Sequence, residues 1–173
     1  MTLIVEDGTK PANANSYITL DYANSYHTMM GNTSWSGDDS DLEQAIIIAT
    51  QSVELLFGHK YLSQRLLGVQ SLLWPRYPMW DNYLNLILQS VIPTSLQNAV
   101  AEAALLSLTG IEMFPDISQL NNVQRIDDKV GEIEESIQYF GKSRLSTYEN
   151  FRKVELLLYP IIQKKRNTIT LSR

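Results

Sequence analysis

The sequence predicts a mainly α fold: a helical bundle of about four helices with a β-hairpin insertion and an extended basic C-terminal tail. Three observations lead there. Apolar residues recur at helical spacing in several separate stretches. Capping and stop residues bracket those stretches. One later segment instead alternates apolar and charged residues. A chain of 173 residues suits a single domain, here read as 1–173, and is long enough to bury a core.

Taken in order, residues 1–15 begin with the strand-like "TLIVEDGT", closed by Asp7 and Gly8 and followed by a Pro-Asn loop. Thr19 is placed to cap a first helix carrying Leu20, Ala23, Tyr26 and Met30, with Gly31 as its stop. A polar loop around Trp35 follows. Ser40 and Glu43 then read as a capping box for the clearest helix, whose stripe is Leu42, Ala45, Ile46, Ala49, Val53, Leu56 and Phe57, ending at Gly58. "HKYLSQRLLGVQ" reads as a loop or short helical piece. Thr94 and Gln97 suggest a second capping box, and Gly110 a stop, for a helix made slim by Ala99, Ala101, Ala103 and Ala104. So narrow a helix fits the middle of a bundle, where a neighbour approaches closely.

After Pro115 the spacing changes. Val123, Ile126, Val130, Ile133, Ile137 and Tyr139 sit among charges, which predicts a hairpin insertion at about 121–141 with its turn at Lys129, Val130 and Gly131. Ser146 or Thr147 is expected to cap a last helix bearing Phe151, Val154, Leu157 and Leu158, which Pro160 ends. The remainder, about 161–173, reads as a basic, mobile tail.

Composition narrows the chemistry. With no cysteine, disulfides and thiolate chemistry are excluded, which points to an intracellular or virion setting. His27 and His59 stand far apart, so surface or half-buried imidazoles are expected rather than metal ligands. No apolar run is long enough to span a bilayer, and the acidic start of the chain does not read as a signal peptide. Carboxylates fall in adjacent pairs whose side chains diverge, and no nucleotide-binding, hydrolase or metalloprotease motif occurs. Neither a catalytic residue nor a cofactor is expected. The net charge of −5 is unevenly divided: from Lys142 onward there are eight basic and two acidic residues, against six and seventeen before it. A basic end on an acidic body suits an acidic partner.

The stretch "SLLWPRYPMWDN", residues 71–82, concentrates aromatic surface. Trp74, Arg76, Tyr77 and Trp80 are the materials of a single-strand stacking platform. Yet Arg76 is its lone cation and Asp81 balances it, so phosphate tracking is poorly served. The favoured reading is a rigid loop in which Trp74, Pro75, Arg76 and Trp80 pack on the bundle or on a neighbouring subunit.

Several segments in sequence carry a family resemblance: "NANSYITLDYANSYH", "LEQAIIIATQSVELLF", "QSLLWPR", "IPTSLQNAVAEAAL", "DDKVGEIEESIQY" and a closing Tyr159-Pro160. Their order resembles tailed-phage head–tail connectors (adaptors), proteins often labelled putative DnaT-like single-stranded-DNA-binding proteins. The resemblance implies a structural protein of the virion neck, made in the host cytoplasm, with no catalysis. It implies a homo-oligomeric ring, commonly of twelve copies, that joins the portal protein to tail or nozzle proteins. Genomic double-stranded DNA would pass through the ring without sequence-specific binding, and an acidic lumen would suit that passage. Lys164, Lys165 and Arg166 would reach the portal surface. The alternatives are a replication accessory protein that coats single-stranded DNA and a tail-completion protein of the same neck.

Overall fold

In the computed structural model, the described residues are 2–111, 126–130, 133–137 and 144–163. Four helices make the body: α1 (Leu20–Met30), α2 (Asp39–Phe57), α3 (Thr94–Leu108) and α4 (Arg144–Leu158). Two small antiparallel ladders accompany them, β1 (Met79–Trp80) with β2 (Leu86–Ile87), and β3 (Ile126–Val130) with β4 (Ile133–Ile137). The mainly helical prediction with a hairpin between the third and last helices therefore holds.

The slim α3 occupies the central place. It packs against α1, α2 and α4. Ala99, Ala101, Ala103 and Ala104 are all fully buried along it, joined by Leu96 and Val100. Small side chains on several faces let neighbouring backbones come close, which explains how one helix serves three partners. The predicted α2 stripe is buried at Leu42, Ala45, Ile46, Ala49, Val53 and Phe57. Leu56 is half-buried and packs against the core.

The seam between α1 and α3 is polar. Tyr22 Oη donates to Asn98 Oδ1 (2.7 Å) and, one turn on, Tyr26 Oη donates to Glu102 Oε1 (2.8 Å). Equal four-residue steps on both helices keep these pairs in register. Lys153 Nζ of α4 reaches the same Glu102 oxygen at 2.6 Å, so one buried carboxylate joins three helices. His27 is buried beside it, Nε2 facing the Ala101 carbonyl (3.1 Å) and Nδ1 facing Asn32 Nδ2 (3.0 Å), and its ring stacks on Trp35. Burial lowers its pKa, so the neutral imidazole is the form the fold favours.

Several local expectations shift. Thr19 caps α1 as predicted, its side chain accepting from Tyr22 N, and Gly31 closes the helix at φ 68°. On that helix, however, Met30 is exposed and His27 takes the buried position, so His27 is not a surface imidazole. The N-cap of α2 is Asp38 rather than Ser40, and that of α3 is Pro93 rather than Thr94; neither makes a side-chain cap bond. Pro93 instead accepts Leu96 N and Gln97 N at its carbonyl. α4 starts at Arg144, which puts Ser146 and Thr147 inside it. The N-terminal strand reduces to a bridge between Val5 and Ser16.

In the insertion, Lys129 and Val130 belong to β3, paired with Glu134 and Ile133, so neither is a turn residue. Gly131 lies outside the described residues, as do Lys164, Lys165 and Arg166. Residues 161–163, expected to be tail, belong to the fold instead. Ile161 and Ile162 are buried, and Ile162 bridges Tyr61.

The packing of α3 yields a direct test. Ala99→Leu should cost about 1–3 kcal/mol by overpacking a fully buried site, visible as a lowered melting temperature. An unchanged midpoint would show that α3 is not closely packed there.

Candidate functional site

Between α2 and α3 the chain runs from residue 61 to 93 with only the two-rung β1–β2 ladder as regular structure. A connection this long holds its shape only if its backbone groups find partners. They find them in a set of buried and half-buried side chains.

Glu54, on α2, is the first anchor. Its Oε1 accepts the Leu73 N–H (2.5 Å) and the Tyr17 hydroxyl, and Tyr17 Oη in turn accepts Trp74 N–H at 3.0 Å. Burial raises the Glu54 pKa above its ordinary 4.5, opposed by the bonds from Tyr17 and Leu73 and by nearby Arg65 and Arg76. Burial likewise pushes the Tyr17 hydroxyl well up.

Arg76 is the second anchor. Its guanidinium donates to the carbonyls of Leu62 (2.8 Å), Leu73 (3.2 Å) and Ser63, and sits 5.8 Å from the Tyr61 ring centroid. A planar fork of donors suits three carbonyls converging from two strands of loop. Gln70 is the third: its amide donates to Leu72 O (2.8 Å) and Pro75 O (3.0 Å), and its oxygen accepts Leu67 N (2.9 Å).

These anchors divide the aromatic stretch. Trp74, Pro75 and Arg76 are buried within the chain, Trp74 completely, edge-on to Tyr61. They pack on the bundle, and a partner cannot reach them without opening the loop. Trp80 is different, with 53% of its surface exposed. It lies on a hairpin whose turn is capped by Asp81, which accepts Tyr83 N and Asn85 N (both 2.8 Å) and Asn85 Nδ2 (3.0 Å). Those bonds hold the Asp81 carboxyl below its ordinary range. Around the turn, Tyr77, Tyr83 (65%), Leu84 (80%), Leu86 and Leu88 are all exposed.

So the exposed site is the hairpin at 77–88, of which the sequence reading singled out only Trp80 as an interface residue. The sequence signal for it is the apolar run "YLNLIL", which has no helical period. Among the described residues, no group of three or more His, Cys, Asp or Glu side chains is placed to hold a metal ion. No described helix is long and apolar enough to cross a membrane.

The state of Glu54 makes stability depend on pH. A carboxyl whose folded pKa is raised contributes stability that is fully present below its unfolded value and is lost as pH rises through the folded value. Melting Glu54→Gln and the wild-type chain from about pH 4 to pH 8 should show the variant gaining relative stability as pH rises. A wild-type chain that gains on the variant with rising pH would contradict the burial of this carboxyl.

Compared with known proteins, the whole chain, residues 1–173, matches the family described as "Putative DnaT-like ssDNA binding protein". The chain belongs to that family. No curated protein and no solved structure matches it.

Proposed function

We propose that this member of the DnaT-like family is a non-enzymatic assembly protein that docks on other proteins through its 77–88 hairpin. Its place, on this reading, is the neck of a tailed-phage virion, as a connector between portal and tail. One observation carries the proposal: the hairpin exposes Tyr77, Trp80, Tyr83, Leu84, Leu86 and Leu88, while its single charged residue is Asp81. Leucines gain by leaving water and have no ring to stack on a base. An apolar patch without a cation suits a protein groove better than a phosphate chain. The net charge of −5 supports the same choice, as does the resemblance of the ordered motifs to head–tail connectors.

A second reading is binding of single-stranded DNA, and the family description favours it more directly than it favours a connector. Tyr77, Trp80 and Tyr83 supply exposed rings, and Lys164, Lys165 and Arg166 supply charge in the sequence that follows α4.

One double variant separates them. Trp80→Ser with Leu84→Ser removes two exposed apolar side chains and should leave the melting temperature within a few degrees, since surface changes cost about 0.5 kcal/mol or less. On the assembly reading, mass photometry shows the wild-type chain joining the cognate portal and the variant failing to join, while neither binds an oligonucleotide with a steep salt slope. Tight oligonucleotide binding that weakens sharply with salt and disappears in the variant, with no portal association, would establish the second reading instead.

A further inference from the structure

The hairpin that carries the exposed patch does not rest on the helical core alone. Asn82, at its turn, bonds to the chain just beyond α4. Its side-chain amide donates to Tyr159 O and to Ile162 O (2.9 Å), and its backbone N–H donates to Pro160 O (2.8 Å). On its other side the same short segment pairs with residues 60–62. Leu62 N donates to Ile161 O (3.0 Å), Gln163 N donates to Lys60 O (2.7 Å), and Tyr61 bridges Ile162.

The circuit closes through Arg76. Leu62 and Ser63, adjoining that pairing, present the carbonyls that hold the guanidinium, and the Ser63 hydroxyl donates to Pro78 O at the root of β1. The links are hydrogen bonds between loop residues and the short 3-10 turns Gly58–Lys60 and Tyr159–Ile161, with Ile161 and Ile162 buried beneath them. Neither side of such a closed set forms its bonds in full without the other.

We infer that residues 159–163 act as a clasp that couples the apolar hairpin to the 60–63 segment, so that the two open and close together. While the clasp is closed, the hairpin is held at one angle to the bundle. When the clasp opens, Asn82 loses all three of its acceptors and the hairpin is free to move. Coupling of this kind is reciprocal: whatever fixes the hairpin also steadies the clasp. The inference concerns the chain alone and stands whichever partner the hairpin meets.

Amide hydrogen exchange on the full chain tests it with two variants at opposite ends of the circuit. Asn82→Ala removes the side-chain bonds to Tyr159 and Ile162. Gln163→Pro removes the N–H that bonds Lys60 at an exposed position, and Ile162 before it already has extended dihedrals (φ −111°, ψ 157°) that a following proline accepts. Each variant should speed exchange by roughly three- to tenfold at both places, the 79–88 amides and the Leu62 amide, while α2 and α3 keep their protection. Acceleration confined to the mutated side, or none in either variant, overturns the coupling. If Asn82→Ala unfolds the chain, Gln163→Pro alone decides, because the bond it removes is to Lys60 while the effect is read at the hairpin on the other side of the clasp.

Discussion

One half-buried carboxylate sets the terms for the rest of the structure. Glu54 projects from α2 into the space where the long connection to α3 must pass, and it takes both Leu73 N–H and the Tyr17 hydroxyl. Tyr17, fixed this way, takes Trp74 N–H. Two consecutive backbone donors of an irregular segment are thus satisfied within the protein, which allows Trp74 to fill the core. Without such acceptors, burying that backbone would offset much of what the indole returns, because an unpaired buried donor forfeits its bond to water. Arg76 performs the matching task for carbonyls from Leu62, Ser63 and Leu73. Carboxylate for donors and guanidinium for acceptors is a complementary pair. Between them they replace the regular structure that this stretch lacks.

The consequence is a division of labour within a dozen residues. The proline-flanked aromatic segment puts Trp74 inside, and the next turn of chain puts Trp80 outside. A surface of leucines and rings then stands on a base that the core holds firm. A rigid apolar projection loses little conformational freedom on docking, which favours tight association per unit area. That is the physical sense of the assembly reading, and it explains why anchoring and exposure sit side by side. The single-strand reading would draw on the same rings but leave the leucines without a role.

Much of the fold was legible in the sequence. Periodic apolar residues marked α2 and α3 plainly, the alanines of α3 announced a central helix, and Thr19 with Gly31 bracketed α1. Cap identities were less legible. S-x-x-E and T-x-x-Q patterns at Ser40 and Thr94 have the right spacing, but Asp38 and Pro93 precede them and take the cap position. Spacing alone does not say at which residue the chain turns into the helix. The buried polar partners were illegible for a different reason. Glu54 with Leu73, Tyr26 with Glu102, and Asn82 with Ile162 are far apart in sequence, and nothing local predicts that they meet. Ile161 and Ile162 were read as tail because a proline precedes them, yet bridging to Tyr61 recruits them to the core.

The measurement that bears most directly on this account is native-state hydrogen exchange at the amides of Leu73 and Trp74 in the full chain. Both are donors in a segment without regular structure, so ordinary loop amides would exchange fast. If Glu54 and Tyr17 hold the segment as described, these two amides should be protected to nearly the same degree as those in the middle of α2 and α3. Exchange of Leu73 and Trp74 at the rate of an open loop, with α2 and α3 still protected, would show that the aromatic segment is not part of the core.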